Sequence, residues 1–384
     1  MDSAKQIRFQ WVDIAKGIAI LSVVLLHVNY QFYENKCLPL TALLGGLWHV
    51  PVFFVLGGFF LKEERLIHPI SFITGKIKSL YKLLLYFYIP AVLLHNVMIN
   101  IGFYSTSTIY GGKAMTTYGV AETLKELVLS VFLAGREPIL GAMWFVYVLF
   151  IALFCLSITS WGLSKFLKGI KYEYARAILL LFICMMSCML TNFFDITIPR
   201  FNNSLTAMWL IYCGYMLKNK FNLIFQNKYI CIASFLIIYH IATISGMVLL
   251  NSNKYSDVVS LTASSISALY VICYFSRKIE SYKVGQLLAL CGKDSFYIMG
   301  LHFVGFKIVT YILAYFGIHR DLSELTAPAG NSFLLLVFYW LFAITFSLCF
   351  MALFRKIKKL LCFVYGRNRK TSMRIDSKHS KNGY

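Results

Sequence analysis

Long apolar stretches recur along this chain and alternate with short polar segments. A helix that crosses a membrane needs roughly 20 mainly apolar residues. Ten stretches approach or exceed this length, at residues 12–31, 41–61, 79–101, 139–161, 176–193, 203–218, 229–250, 258–276, 295–318 and 332–354. The pattern predicts an all-α, polytopic integral membrane protein with about ten transmembrane helices. The shorter and more charged stretch 121–135 predicts an interfacial or re-entrant helix instead.

Composition supports lipid as the solvent of this chain. Hydrophobic residues make up 59% of its 384 residues and charged residues only 14%, whereas soluble domains carry about 25% charged residues. Seven of the ten cysteines lie inside apolar runs, where thiols act as small hydrophobic side chains. No CxxC or HExxH motif is present, so the sequence predicts neither a disulfide framework nor a metal site.

Basic residues concentrate on one side of the predicted topology. If the N-terminus is cytoplasmic, the external segments hold 7 Lys+Arg and 8 Asp+Glu, and the rest of the chain holds 30 and 8. Because positive charge accumulates in cytoplasmic loops, this asymmetry predicts that both termini are cytoplasmic. The chain then divides into a transmembrane domain, residues 1–354, and a basic cytoplasmic tail, residues 355–384.

The basic tail explains most of the charge excess without a nucleic-acid partner. It holds ten Lys+Arg and one Asp, which predicts attraction to anionic lipid headgroups at the cytoplasmic surface. Membrane lipids are therefore expected partners. Nucleic acid is not, because no recognition fold is available to present the charge.

The first predicted span, WVDIAKGIAILSVVLLHVN, carries three polar side chains that lipid disfavours. Lys16 and His27 are close to three helical turns apart, so they share a face at a distance of roughly 16 Å along the axis. Asp13 lies within about a turn of Lys16 on that face. Charged groups at membrane depth cost about 2.5–3.5 kcal/mol even on the mildest scale, and usually face a bundle interior or a wet cavity. Alternatively, Asp13 and Lys16 pair at the interface, with Lys16 snorkelling.

The spacing of Lys16 and His27 resembles the Arg/Lys-x10-His signature of acyltransferase family 3, whose members are multispanning O-acyltransferases of bacterial surface sugars. The surrounding DIAKGIAILSVVLLH looks like the branch named after fucose 4-O-acetylase, in which the basic position of the signature is typically lysine, as Lys16 is here. The second span, WHVPVFFVLGGFFLK, is similar to the family's His-x-Pro…Phe-Phe-x-x-Ser-Gly-Phe stretch, with Gly57 where serine is usual. The matching residues are His49, Pro51, Phe53, Phe54, Gly58 and Phe59.

Three further segments resemble the family. KIKSLYKLLLYFYIP is similar to its basic entry to the third span, with Lys82 at one basic position and Lys78 beside the other, which is Ser79. MWFVYVLF resembles a Leu-Trp-Phe segment through Trp144 and Phe145. LCGKDSFYIMGLHF is similar to a Gly-x-x-Ser-x-x-Ile-x-x-x-His stretch. Its matching residues are Gly292, Ser295, Ile298 and His302.

The resemblance implies a membrane O-acyltransferase that moves an acetyl group from acetyl-coenzyme A, a substrate rather than a bound cofactor, to a sugar or glycan hydroxyl. It implies the inner (cytoplasmic) membrane of a bacterial cell. His27 is the expected general base, because a neutral imidazole is available near pH 7. The expected donor-binding cations are Lys16, Lys78 and Lys82. Asp13 is expected to serve catalysis by holding Lys16 or the donor. His49, Trp144, Ser295 and His302 are expected to support the reaction or bind the acceptor.

Buried polar groups in a multispanning protein would also suit a proton-coupled transporter or a flippase. Carriers commonly show repeated halves or paired broken helices, and no such repeat is visible in this sequence. Acyl transfer is therefore the first hypothesis, and a transporter or flippase of a polar or glycan substrate is the alternative.

Overall fold

Helices dominate the structure, which is a computed structural model of the chain. It describes residues 9–30, 41–106, 109–110, 113–132, 135–245, 247–318, 322 and 326–379. The helices are α1 (Gln10–Leu26), α2 (Pro51–Phe59), α3 (Glu63–Leu66), α4 (Pro69–Lys76), α5 (Lys82–Leu93), α6 (His95–Asn100), α7 (Val120–Val131), α8 (Trp144–Phe166), α9 (Gly169–Asn192), α10 (Phe201–Asn219), α11 (Lys228–Ile244), α12 (Val258–Lys278), α13 (Lys283–Lys293), α14 (Ser295–Tyr315) and α15 (Phe333–His379). The strands are β1 (Val28–Tyr30), β2 (Ile109–Tyr110), β3 (Lys113–Ala114) and β4 (Ala327–Gly330).

The helices have the length and composition of membrane spans. Within the described ranges, five segments are long and apolar enough to cross a bilayer: residues 138–166, α9, α12, α14 and residues 333–360. α11 is apolar but shorter. The protein is therefore a helical, multi-pass membrane protein, and the count of ten spans stays a prediction. The predicted short helix at 121–135 is α7.

Two predicted spans end earlier than their hydropathy indicates. The first was expected over 12–31, but α1 ends at Leu26 and β1 follows, pairing in parallel with β4. The strand forms because its carbonyl and amide groups find partners in β4 rather than in a further helical turn. The span expected over 229–250 is wrong at its end, because α11 stops at Ile244. Of the apolar residues that follow, Val248 and Leu250 are buried in the protein interior.

The segment expected as a span over 41–61 is also interrupted. A π-helix covers Ala42–Gly46 and contains Gly45 at φ 140°, a backbone conformation that glycine adopts without strain. α2 begins only at Pro51, where the missing proline N–H lies in the first helical turn and needs no partner. The irregular backbone between them places His49 in a turn.

α1 packs on α13 with close backbone contact at glycines. A Cβ added at Gly17 would lie 2.1 Å from the carbonyl oxygen of Leu288, and one at Gly292 would lie 1.7 Å from that of Asp13. Small residues allow helix backbones to approach this closely inside membranes. α13 therefore contacts the first half of α1, and its last turn lies at the level of Asp13.

α14 then returns alongside α1 in the same direction. Its first residue follows Asp294 directly, at the level of Asp13, and further along the two helices the rings of His302 and His27 lie 5.0 Å apart. α15 runs antiparallel to α14, since Arg355 pairs with Asp294 while the Tyr339 and Thr310 hydroxyls are 3.0 Å apart. The start of α1 and Arg355 thus share one end of the bundle. The assignment of that end to the cytoplasm stays a prediction.

The basic segment that starts at residue 355 begins inside a helix rather than after one. α15 continues without a break to His379. The boundary between domain and tail at 354/355 therefore marks a change of composition, not of backbone structure.

A buried arginine ties α3 to α9 at the end of α2 remote from His49. Arg176 is fully buried, and its guanidinium donates to both carboxylate oxygens of Glu63 at 2.9 and 2.8 Å. It also pairs with Glu173 at 2.9 Å, and the Tyr172 hydroxyl donates to Glu63 at 2.6 Å. The guanidinium carbon lies 4.6, 5.1 and 4.9 Å from the ring centroids of Tyr172, Tyr212 and Tyr215.

α2 and α10 meet with their backbones in contact. A Cβ added at Gly58 would lie 1.7 Å from the carbonyl oxygen of Ile211, and one at Gly214 would lie 1.8 Å from that of Val55. Nothing lies within 4 Å of a Cβ added at the neighbouring Gly57. Gly57 therefore leaves room for the serine that the family usually carries, whereas Gly58 cannot gain a side chain without moving a helix.

We expect Gly58→Ala to destabilise the protein by about 1–3 kcal/mol, because overpacking against backbone forces the helices apart. Gly57→Ala should be neutral or slightly stabilising, since alanine favours the helix by about 1 kcal/mol over glycine. The measurement is the free energy of unfolding of both variants in the same micelles. Equal stabilities for the two variants would contradict the close approach of α2 and α10.

Candidate active site

A cavity of about 210 Å³ lies at the end of α1 where that helix stops. It is mainly apolar, with a few side chains able to form hydrogen bonds, as small-molecule sites commonly are. Its lining is Val23, Leu26, His27, His49, Val50, Ala142, Trp144, Phe145, Met247, Val248, Leu249, Leu250, Asn251 and Met299.

His27 enters this cavity as the residue that caps α1. Its ring lies 5.0 Å from the ring of His302 and 5.1 Å from that of Phe303. Its Nδ1 is buried without a hydrogen-bond partner among the described residues. A buried polar atom without a hydrogen bond is unfavourable in free energy. A substrate that hydrogen-bonds to Nδ1 would remove most of that penalty.

His302 reaches His27 because α14 runs parallel to α1. The side chain is fully buried, and its Nδ1 donates to the carbonyl of Ile298 at 3.0 Å. A ring with one nitrogen fixed as a donor keeps the other as an acceptor when it is neutral. That other nitrogen, Nε2, is buried without a partner in the described part of the chain. His302 is therefore oriented to accept a proton or a hydrogen bond.

His49 forms the facing wall of the cavity. Its Nδ1 donates to the carbonyl of Gly45 at 2.6 Å, which again leaves Nε2 as the acceptor. α2 runs antiparallel to α1, since the rings of Phe59 and Trp11 are 6.4 Å apart at the other end. His27 and His49 thus lie at one level of two antiparallel elements, as their positions in the sequence predict.

Trp144 adds an aromatic wall. A 3-10 segment, Pro138–Met143, turns into α8 at Trp144. Ala142, Trp144 and Phe145 line the cavity together. The structure therefore brings His27, His49 and Trp144 to one cavity, with His302 directly behind His27.

The remaining predicted site residues lie elsewhere. Lys16 and Asp13 precede His27 by about 16 and 21 Å along α1, and neither lines the cavity. Lys78 and Lys82 are exposed near the start of α5, and the Lys82 ammonium lies 5.8 Å over the Tyr86 ring. Ser295 begins α14, about 10 Å below His302. These residues belong to the opposite end of the bundle, and their roles stay predictions.

Sequence reasoning missed one wall of the cavity. Residues 247–251 were assigned to a span and the loop after it, yet they line the cavity beside His49. The polar run NSNK at 251–254 was the available signal, because asparagine and serine favour turns. This polar run predicts a turn, but it does not predict which cavity the turn lines.

Two other buried titratable side chains have structural partners. His95 stacks on Tyr118 at 3.5 Å and its nitrogens contact the Glu137 carboxylate and the Thr116 carbonyl, at 2.9 and 3.1 Å. The Lys307 ammonium donates to the carbonyl of Leu322. No group of three or more His, Cys, Asp or Glu in the described ranges is arranged to hold a metal ion.

The fold and the cavity define a multi-pass membrane protein with an internal imidazole site. The family model described as an acyltransferase domain matches residues 9–355, nearly the whole chain. The protein belongs to acyltransferase family 3 and is a membrane acyltransferase. This confirms the family indicated by Lys16 and His27, while its fucose 4-O-acetylase-like branch stays a prediction. No curated protein and no solved structure matches the chain significantly.

Proposed function

We propose that this protein transfers an acetyl group from acetyl-coenzyme A to a hydroxyl of a sugar in a cell-surface polysaccharide or a lipid-linked glycan, in the cytoplasmic membrane of a bacterium. The observation that supports this most strongly is the convergence of His27 and His49 at one cavity, with His302 packed against His27, in a chain of the acyltransferase family. A transporter or flippase has no observation of this kind in its favour.

The proposed reaction uses His27 as general base. Its imidazole takes the proton of the acceptor hydroxyl while that oxygen attacks the thioester carbonyl. The tetrahedral intermediate then collapses with cleavage of the carbon–sulfur bond, and the imidazolium returns the proton to the departing thiolate. His302 and His49, each oriented through its Nδ1, support His27 and the acceptor. Trp144 offers a surface for the sugar ring.

The donor is proposed to enter from the other end of α1. Lys16, Lys78 and Lys82 would meet its phosphates, and Asp13 would hold Lys16 in place. The pantetheine arm would then extend along the roughly 16 Å between Lys16 and His27. Ser295, which begins α14 at the level of Asp13, would support the donor rather than the acceptor.

The donor assignment is tested by Lys16→Ala, with Lys16→Arg and Lys283→Ala as matched controls. Lys283 is an exposed lysine at the start of α13. Because hydrogen bonds to charged groups contribute about 1.5–3 kcal/mol, Lys16→Ala should raise the KM for acetyl-coenzyme A about 10- to 100-fold. Arginine should retain most of the affinity, and Lys283→Ala should leave the KM unchanged. An unchanged KM in Lys16→Ala would remove Lys16 from the donor site.

A further inference from the structure

The loop between α11 and α12 is built as a rigid wall of the cavity. The backbone groups of Leu249 and Lys254 exchange two hydrogen bonds, at 2.8 and 3.0 Å, which makes residues 249–254 a tight hairpin. The amide of Val248 donates to the carbonyl of Gly46 at 2.9 Å. The hairpin is thus tied to the turn that carries His49.

A buried asparagine anchors this hairpin to the helices behind it. Asn253 adopts φ 55°, a left-handed conformation that asparagine tolerates better than most residues. Its amide donates to the hydroxyls of Ser187 and Thr191 at 3.1 and 3.0 Å, and its carbonyl oxygen accepts from Thr206 at 2.8 Å. Sites are held most accurately when their supporting residues are locked in this way.

Asn251 is the polar side chain that this hairpin presents to the cavity, beside Leu249 and Leu250. Among the lining residues, those with hydrogen-bonding side chains are His27, His49, Trp144 and Asn251. The Asn251 carbonyl oxygen accepts from the backbone amide of Ser252 at 2.9 Å. No contact within the described part of the chain uses its two amide N–H groups, so both are available to donate.

We propose that Asn251 binds the hydroxyl groups next to the one that is acylated, and that the hairpin 249–254 selects acceptors with adjacent hydroxyls. The Asn251 amide has two N–H donors beside a carbonyl oxygen that keeps a second lone pair, which matches two neighbouring hydroxyl groups on a sugar ring. Asn253 acts as a positioning residue for Asn251. The inference rests on the proposed function, because it concerns the acceptor of the same reaction.

The test compares Asn251→Ala with wild-type protein and with Lys254→Gln, a change at an exposed hairpin residue outside the cavity. Purified protein in micelles receives radiolabelled acetyl-coenzyme A and para-nitrophenyl glycosides of glucose, galactose, fucose and N-acetylglucosamine. The best acceptor is then replaced by its monodeoxy analogues. Hydrolysis of acetyl-coenzyme A without acceptor is measured in parallel, and saturation-transfer NMR reports glycoside binding without turnover.

We expect Asn251→Ala to lower kcat/KM for the best glycoside about tenfold, the effect of losing one or two neutral hydrogen bonds, with unchanged hydrolysis of the donor. Wild-type protein should prefer the parent glycoside over the deoxy analogue that lacks a hydroxyl bound by Asn251. This preference should disappear in Asn251→Ala. Lys254→Gln should match the wild type. Asn253→Gly, which keeps the left-handed backbone, should raise the acceptor KM more than it lowers kcat.

Two different failures can be told apart. If Asn251→Ala keeps the wild-type preference for the parent glycoside, or loses donor hydrolysis to the same extent as transfer, the assignment of Asn251 is wrong and the proposed function stands. If the wild type neither binds nor acetylates any of the glycosides, the proposed function fails and the inference fails with it.

Discussion

Replacing His27 by glutamine should lower kcat for acyl transfer by about 10²- to 10⁴-fold, the range that a positioned general base contributes. Glutamine keeps a polar side chain of similar size at the end of α1 but cannot take up a proton from the acceptor. Because His27 is assigned to the chemical step, the KM for acetyl-coenzyme A should stay within about twofold of wild type. The measurement is steady-state transfer by purified protein.

His240→Gln is the matched control for this experiment. His240 is an exposed histidine on α11 that does not line the cavity, and its replacement should leave transfer unchanged. If the His27→Gln variant retains more than a tenth of wild-type kcat, another group removes the proton and His27 loses the role of base.

Removing Glu63 should destabilise the protein by about 1.5–3 kcal/mol, the contribution of hydrogen bonds to a charged group, since Arg176 keeps its second carboxylate partner, Glu173. In Glu63→Ala the buried guanidinium of Arg176 loses both hydrogen bonds to that carboxylate. The double variant Glu63→Ala/Arg176→Met should be more stable than Glu63→Ala alone, because the buried charge that has lost hydrogen bonds is then gone. The free energy of unfolding in micelles gives the comparison. Glu64→Ala, at an exposed neighbour, should have no effect.

The same pair gives a pH dependence of stability. Burial raises the pKa of Glu63, but the Tyr172 hydrogen bond and the Arg176 charge outweigh burial and hold this pKa below its ordinary value of 4.5. A carboxyl with a lowered folded pKa stabilises the protein above its unfolded pKa, and the stabilisation is lost as pH falls through the folded value. Wild-type stability should therefore fall on acidification below about 4.5 more steeply than that of Glu63→Gln. Parallel pH profiles would contradict this pairing.

Long helices were predictable from hydropathy because their ends coincide with polar residues. The expected spans 258–276 and 295–318 correspond to α12 and α14, each bounded at its start by Asp257 or Asp294. Hydropathy failed at residues 247–250, where Val248 and Leu250 are buried. The hydropathy of an apolar side chain is the same whether it faces lipid or lies buried in the wall of a protein cavity.

Part of the candidate site was predictable from the sequence. The rest was not, because it depends on how the helices pack against one another. The x10 spacing gave Lys16 and His27, and the family resemblance added His49 and His302. That His302 lies beside His27 depends on the contact of Gly292 with the backbone of Asp13, which starts α14 at the level where α1 begins. Contacts between residues so far apart in the sequence leave no periodic signal.

The proposed function requires that a thioester and an alcohol react in the cavity at His27. The direct measurement is the number of alkali-labile acetyl esters on the surface glycans of the source organism, determined by NMR with the protein present, deleted, or replaced by His27→Gln at equal abundance. We predict that the esters disappear on deletion and do not return with His27→Gln. Esters that persist after deletion, or that His27→Gln restores, would contradict the claim.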